Sequence, residues 1–271
     1  MAKLSRFPAC LRNIALVGAA VTLSQVTLFS GGAQALTVDK MIFFSTDVSG
    51  SIDSGEYDTQ RLGWANAFLT PSIKSSIVAA PNGIAVAVGQ WSTSEFSPLA
   101  INWTHLTDAA TVDAFSAQLS SMARQGTGGQ TCISCGLNAA VNSIQTAVSS
   151  GLFDSGSKII DISGDGVDNQ SSDAQVQAAR DLAASLGIGV NGLAIEGDFG
   201  PTGVSDYYQA NVITPGGFVE TVTGFGDFET AATIKLGREV SDVPGPLPLL
   251  GLAMALAWAR RLRQRLTWSM G

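Results

Sequence analysis

Lys40-Met41-Ile42-Phe43-Phe44-Ser45-Thr46-Asp47-Val48-Ser49-Gly50-Ser51 runs from an apolar stretch straight into a carboxylate and two hydroxyls. The first seven residues read as a β-strand buried on both faces, as the central strands of parallel sheets are. Beyond it, Asp47, Ser49 and Ser51 recur at a spacing of two, so a turn at the strand end can aim three hard oxygens at one point. Such oxygens suit Mg2+, and equally Mn2+ or Ca2+. In isolation the string has a plainer meaning, because Ser and Asp ahead of a helix commonly serve as N-caps.

Outward from this strand the chain alternates β-rich runs with helical periodicities. That pattern predicts a three-layer α/β fold, doubly wound around a mostly parallel six-stranded sheet with one antiparallel edge strand. Strands are expected at 40–46, 84–91, 99–103, 157–162, 188–195 and 218–223, the second and third joined as a hairpin. Helices are expected at 54–70, 108–122, 133–148, 173–186 and 228–240. The first helix would turn Tyr57, Leu62, Trp64, Ala65 and Phe68 inward, and residues 197–216 read as loop.

Two further strings carry chemistry. Gly128-Gly129-Gln130-Thr131-Cys132-Ile133 sets a hydroxyl in a glycine-rich loop just ahead of a helix, and Ile162-Ser163-Gly164-Asp165-Gly166 sets a carboxylate just past a strand. In a doubly wound sheet, ligands bind beyond the carboxyl ends of the strands, where the strand order reverses. If the strands at 40–46 and 157–162 are neighbours at that point, Asp47, Ser49, Ser51, Thr131 and Asp165 converge.

With these three strings the body, residues 36–242, resembles the von Willebrand factor type A (vWA) family and its metal-ion-dependent adhesion site. The family's Asp-x-Ser-x-Ser falls on Asp47, Ser49 and Ser51, its loop Thr on Thr131 with Ile133 and Leu137 behind it, and its second Asp on Asp165. The resemblance implies the Rossmann-like vWA fold and a bound Mg2+, or Mn2+ or Ca2+. By the same likeness Ser49, Ser51 and Thr131 coordinate directly, Asp47 and Asp165 hold waters in the shell, and one position is left for a partner's carboxylate. Thr127 stands four residues before Thr131 and Gln130 lengthens the loop; Thr131 is the favoured ligand of the two. Within the family the chain is most similar to a bacterial subfamily of unassigned function.

Other readings of these residues are weaker. Asp161-x-Ser163-x-Asp165-Gly166 matches the start of an EF-hand loop, but Ser172 stands where the bidentate Glu belongs and the preceding residues read as strand. A haloacid-dehalogenase-type phosphatase would want a second Asp where Ser49 stands. The loop at 126–129 fits neither a dinucleotide fingerprint nor a P-loop. His105, the one histidine, follows a strand and lacks a nucleophile elbow, which argues for packing or exposure over a hydrolase triad. Asp53 and Glu56 suit the start of a helix, Asp168 with Asn169 suits a turn, and Trp91, Phe96 and Trp103 read as sheet packing.

The ends read as addresses. Residues 1–35 pass from Lys3, Arg6 and Arg12 through an apolar stretch to Ala33-Gln34-Ala35, the pattern of a cleaved signal peptide. Residues 243–271 pass from Val243-Pro244-Gly245-Pro246-Leu247-Pro248 through a short apolar helix candidate to an Arg cluster at 260–265. That tail resembles the PEP-CTERM class of bacterial sorting signals. It implies a Gram-negative type of envelope, processing by an exosortase-type enzyme and transient membrane contact, since a dozen apolar residues span a bilayer poorly. The ends hold 7 of the 15 basic residues and no acidic ones, leaving 8 basic against 22 acidic residues in the body, a net charge of −14. So acidic a body lacks the basic footprint that nucleic acid requires. Cys132 and Cys135 are the cysteines left once residues 1–35 are removed, and in an oxidising compartment their spacing favours a disulfide bracing the loop that carries Thr131.

The expectation is therefore an exported domain, not an enzyme, that binds a divalent cation and holds a protein or acidic polymer at the cell surface or in extracellular matrix. The alternatives are a secreted metal-dependent hydrolase, which would lack any general base other than carboxylates, and a scaffold whose metal is purely structural.

Overall fold

Every residue of the strand Lys40–Asp47 is buried, and its side chains divide by parity. Ile42 and Phe44 enter one apolar cluster, Met41 and Phe43 the other. A strand clothed on both faces requires helices above and below, and that requirement fixes the layers.

The computed structural model describes residues 35–126, 128–197, 200 and 202–241. In chain order these form β1 (Leu36–Thr37), β2 (Lys40–Asp47), α1 (Ser54–Leu69), α2 (Pro71–Ala79), β3 (Ile84–Trp91), β4 (Ile101–Leu106), α3 (Ala109–Ser120) and α4 (Ile133–Ser149). There follow β5 (Phe153–Asp154), β6 (Lys158–Gly164), α5 (Asp173–Ser185), β7 (Ile188–Ile195), α6 (Gly203–Tyr207), a π-helical turn (Tyr208–Val212), β8 (Val219–Val222) and α7 (Phe228–Ser241). The main sheet has the order β4-β3-β2-β6-β7-β8, with only the β3–β4 pair antiparallel. Strand order reverses between β2 and β6, whose registers pair Ser45 with Ile162 and Thr46 with Ser163. Asp47 and Gly164 thus end two adjacent parallel strands at the switch point.

One cluster packs α1, α2, α3 and α7 against the sheet through Trp64, Phe68, Phe115 and Phe228, with Phe44 edge-on to Trp64 at 4.9 Å between ring centroids. The other packs α4, α5 and α6 through Leu137, Ile144, Val176 and Val204. Each such fully buried side chain contributes about 1.5–3 kcal/mol. Helix α1 begins with a reciprocal cap, in which the Glu56 amide donates to Asp53 Oδ1 and the Asp53 amide to Glu56 Oε2, both at 2.8 Å. That pairing satisfies two otherwise orphaned donors and explains both carboxylates.

The expected architecture is the observed one, with local differences. The edge strand lies at Ile101–Leu106 instead of 99–103, because its ladder with β3 continues to Ile84 opposite Leu106, whose side chain is buried. Leu62 is 41% exposed; the buried face of α1 carries Gln60 as well as Tyr57, Trp64, Ala65 and Phe68. Helix α2 follows directly on Thr70 with Pro71 in its first turn, where a missing N–H costs nothing. Within 197–216, expected as loop, α6 and the π turn bury Val204, Tyr208 and Val212 along one face. Their spacing of four is a helical stripe that the surrounding glycines and prolines mask. The short pair β1–β5 is a further parallel contact.

The signal-peptide reading of 1–35, save Ala35, and the sorting-tail reading of 243–271 lie outside the described residues. No helix among the described residues is long and apolar enough to cross a membrane.

Candidate metal centre

The turn after β2 places Asp47 with no exposed surface and folds back so that its Oδ1 accepts the Ser49 amide at 2.7 Å. This short loop points the hydroxyls of Ser49 and Ser51 the same way, 3.3 Å apart. Thr131, arriving from the glycine-rich loop, brings its Oγ1 to 3.2 Å from Ser49 Oγ, and Ser51 Oγ donates to Asp165 Oδ1 at 2.7 Å. The five residues singled out in the sequence are therefore one cluster of three hydroxyls and two carboxylates. Thr127 lies outside the described residues. Among the described residues no group of three or more His, Cys, Asp and Glu is arranged to hold a metal ion, so it is the hydroxyls that distinguish this site.

Two observations test whether a hard cation fits. The donor set is all oxygen, with two carboxylates to balance the charge. Asp47 Oδ2 is also buried without a hydrogen-bond partner among the described residues, a costly state for a carboxylate. Burial first, and then the charge of Asp165, push the Asp47 carboxyl up to about 8, while the Ser49 hydrogen bonds and Arg124 act in the opposite direction. An ion among these oxygens would offset what burial costs. The residues fit a divalent cation, which would be held by Ser49, Ser51 and Thr131 with Asp47 and Asp165 behind them.

The supporting contacts come from residues the motifs do not include. Arg124 Nη2 donates to the carbonyls of Val48 and Ser49, both at 2.9 Å, and so pins the loop from below. The Gly50 amide donates to Gly129 O at 2.9 Å, joining the two loops. Gly129 has φ +127°, and a Cβ there would strike Thr93 Oγ1, so this position requires glycine. Asp168, read as a turn residue, does accept the Gln170 and Ser171 amides, and it also reaches across to take the Ser134 amide in the first turn of α4 at 3.1 Å. Cys132 and Cys135 form a disulfide across that same first turn. The Asp168-Asn169 pair after Asp165-Gly166 was a visible signal for a turn, but nothing local told that it would reach α4.

The rival readings separate spatially. Asp161 lies inside β6, 2.5 Å from Lys235 and fully buried, so no EF-hand loop exists there. His105 pairs with Ala85 near the start of β3, six residues of strand from the site end at Trp91, which is on the order of 20 Å. Its Nε2 lies 2.8 Å from Asn82 O and its ring packs on Phe153. Trp91 is buried, Phe96 packs against the core, and Trp103 Nε1 donates to Ser143 Oγ at 3.1 Å.

The fold is that of vWA domains. It is similar to proximal thread matrix protein 1 (PTMP1) of the mussel byssus, at 18% identity and a TM-score of 0.54, over 75% of this chain and 47% of that one. A further structure of that protein, with a zinc-occupied MIDAS motif, superposes with a TM-score of 0.52 at 18% identity, over 75% and 48%. A von Willebrand factor type A protein from Catenulispora acidiphila gives 16% identity and 0.53, over 75% and 43%. The vWF domain of the type V pili tip protein Mfa5 from Porphyromonas gingivalis gives 10% and 0.53, over 79% and 99%. The chain thus spans about half the length of the first structures it matches. No protein of curated function matches it. A family model described as a protein of unknown function, DUF1194, matches residues 37–244, and the chain belongs to that family.

Proposed function

We propose that this domain binds a divalent cation, Mg2+ or else Mn2+ or Ca2+, through Asp47, Ser49, Ser51, Thr131 and Asp165, and uses it to hold a carboxylate supplied by a protein or acidic polymer. The observation that carries the reading is the meeting of three hydroxyls and a buried, unpartnered carboxylate oxygen at the switch point of the sheet. An ion with few direct negative ligands stays electrophilic, which favours capture of a partner's acidic side chain. Beside Ser51 and Asp165 a groove of about 300 Å³, lined also by Glu56, Glu196 and Phe225, offers room for the residue that carries it. The zinc-occupied MIDAS of the byssal neighbour and the pilus-tip origin of another support a metal-dependent adhesive role outside the cell. We take the protein to be non-enzymatic, because the cluster offers no base except carboxylates.

The same reading covers the ends of the chain. Residues 1–35 direct export, and the tail from Val243 touches the membrane until an exosortase-type enzyme of a Gram-negative envelope removes it. The Cys132–Cys135 disulfide suits the oxidising compartment this requires. Mass spectrometry of exported protein should find a C-terminus near residue 243; intact peptides across 247–265 in most molecules would show a retained anchor instead.

The central test is titration calorimetry of the wild type and Asp47→Ala with Mg2+ and Mn2+. Binding is expected in the wild type and lost in the variant, with the variant's circular dichroism unchanged. Equal affinity in the two proteins would overturn the reading. A pull-down from envelope extract with and without chelator, beside phosphoester and glycoside hydrolysis assays, separates adhesion from a hydrolase.

A further inference from the structure

We propose that Tyr208 is a positioning residue of this metal centre, its hydroxyl serving Asp47 Oδ2 across a gap that two strand glycines keep open. The inference rests on the metal reading above and adds a residue from a segment that carries no motif.

Tyr208 has no exposed surface, and its hydroxyl has no hydrogen-bond partner among the described residues; Asp47 Oδ2 is in the same condition. A buried polar group left without a partner is costly, so each of these two calls for one. Both face one spot. A Cβ built on Gly164 would stand 2.8 Å from the Tyr208 hydroxyl and 2.9 Å from Asp47 Oδ2. One strand further out, a Cβ on Gly192 would stand 2.7 Å from Tyr208 Cδ2. The phenol ring therefore crosses β7 at Gly192 and its hydroxyl crosses β6 at Gly164, ending beside Asp47 on β2. Glycine inside a strand is unfavourable unless something must approach the backbone, and here both glycines clear the path of one side chain.

The approach is also held from the other end. Glu196, buried just past β7, accepts the amides of Val204 at 2.9 Å and Ser205 at 3.0 Å, which fastens the first turn of α6. The helix then widens into the π turn that begins at Tyr208 itself. Single π turns are rare and recur at functional sites. A hydroxyl so delivered can donate to Asp47 Oδ2 directly or through one ordered water, and either contact needs the phenol oxygen and the space over Gly164. Partners of this kind orient a metal-site carboxylate, and their loss commonly lowers metal affinity 10- to 100-fold.

The test is calorimetry with Mg2+ and Mn2+ on the full chain, comparing the wild type with Tyr208→Phe and Gly164→Ala, beside thermal unfolding in chelator. Tyr208→Phe keeps the ring and removes one oxygen. It is expected to bind Mg2+ about 10-fold more weakly, while melting in chelator like the wild type. Gly164→Ala is expected to weaken binding as well, by filling the gap. A Tyr208→Phe protein that binds as tightly as a binding wild type would overturn the role of Tyr208 and leave the metal reading standing. So would a variant that loses stability equally in chelator and in Mg2+ with its affinity intact. A wild type that binds neither ion would overturn the metal reading itself.

Discussion

Asn169 holds Thr131 from both sides: the Thr131 amide donates to Asn169 Oδ1 at 2.8 Å, and the Asn169 amide donates to Thr131 O at 3.0 Å. The pair ties the loop ahead of α4 to the turn beyond β6, so the hydroxyl from one loop and the carboxylate of Asp165 from the other keep a fixed separation. A threonine in a glycine-rich loop has many orientations, and this clamp selects the one that faces Ser49.

Asn169→Ala should therefore weaken Mg2+ binding by about 10-fold, the lower end of the range for lost supporting contacts around a metal. The backbone half of the clamp survives in the variant, so the fold should persist. Calorimetry checks the affinity and circular dichroism the fold. Unchanged affinity would mean that the loop is held well enough by Gly129 and the disulfide alone.

The disulfide is the second restraint on the same loop. It closes a ring of only four residues, for which chain entropy gives about 2 kcal/mol, or roughly 5 °C in melting temperature for a domain of this size. Cys132→Ser with Cys135→Ser should lose about that much stability. It should lose metal affinity too, because Cys132 adjoins Thr131 and stands at the N-cap of α4 without a side-chain hydrogen bond to the helix's backbone amides. A melting curve in chelator and a Mg2+ titration separate the two effects. Retained stability with full affinity would show that Asp168, which takes the Ser134 amide, suffices to anchor the helix.

The residues that could be read from the sequence are those whose meaning is local. The apolar run 40–46 announced a central strand, and Asp47, Ser49 and Ser51 announced an oxygen cluster because a strand end and a spacing of two are enough to aim them. Thr131 and Asp165 followed once the alternation of strands and helices implied that β2 and β6 are neighbours. Arg124, Asn169 and Tyr208 were not legible in this way. Each lies 38 or more positions along the chain from the residue it faces, as with Asn169 and Thr131, and a single polar residue carries no periodicity. The stripe Val204, Tyr208, Val212 has helical spacing, but Gly197, Gly200, Pro201 and Gly203 just ahead of it are loop-forming residues that obscure the periodicity.

The last prediction concerns the buried ions beneath α7. Lys235 lies 2.5 Å from Asp161 on β6 and 2.6 Å from Glu239 on its own helix. Asn191 of β7 donates to Glu239 Oε1 at 2.9 Å, and Lys40 of β2 donates to the Glu239 carbonyl. Burial, with Glu239 close by, holds the Asp161 carboxyl well above the usual carboxylate range, and Lys235 works in the opposite direction. A carboxyl raised in the folded state binds its proton more readily there than in the unfolded chain, so its contribution to stability is present at low pH and declines as pH rises above the ordinary value of 3.8. Lys235→Met removes the compensating charge and leaves two carboxylates in an apolar site. The variant should lose about 3–5 kcal/mol at pH 7, and less at pH 4, where the proton stays on. Urea unfolding at the two pH values measures the difference. A deficit equal at both would show that the loss comes from packing of the lysine stem and not from the charges it balances.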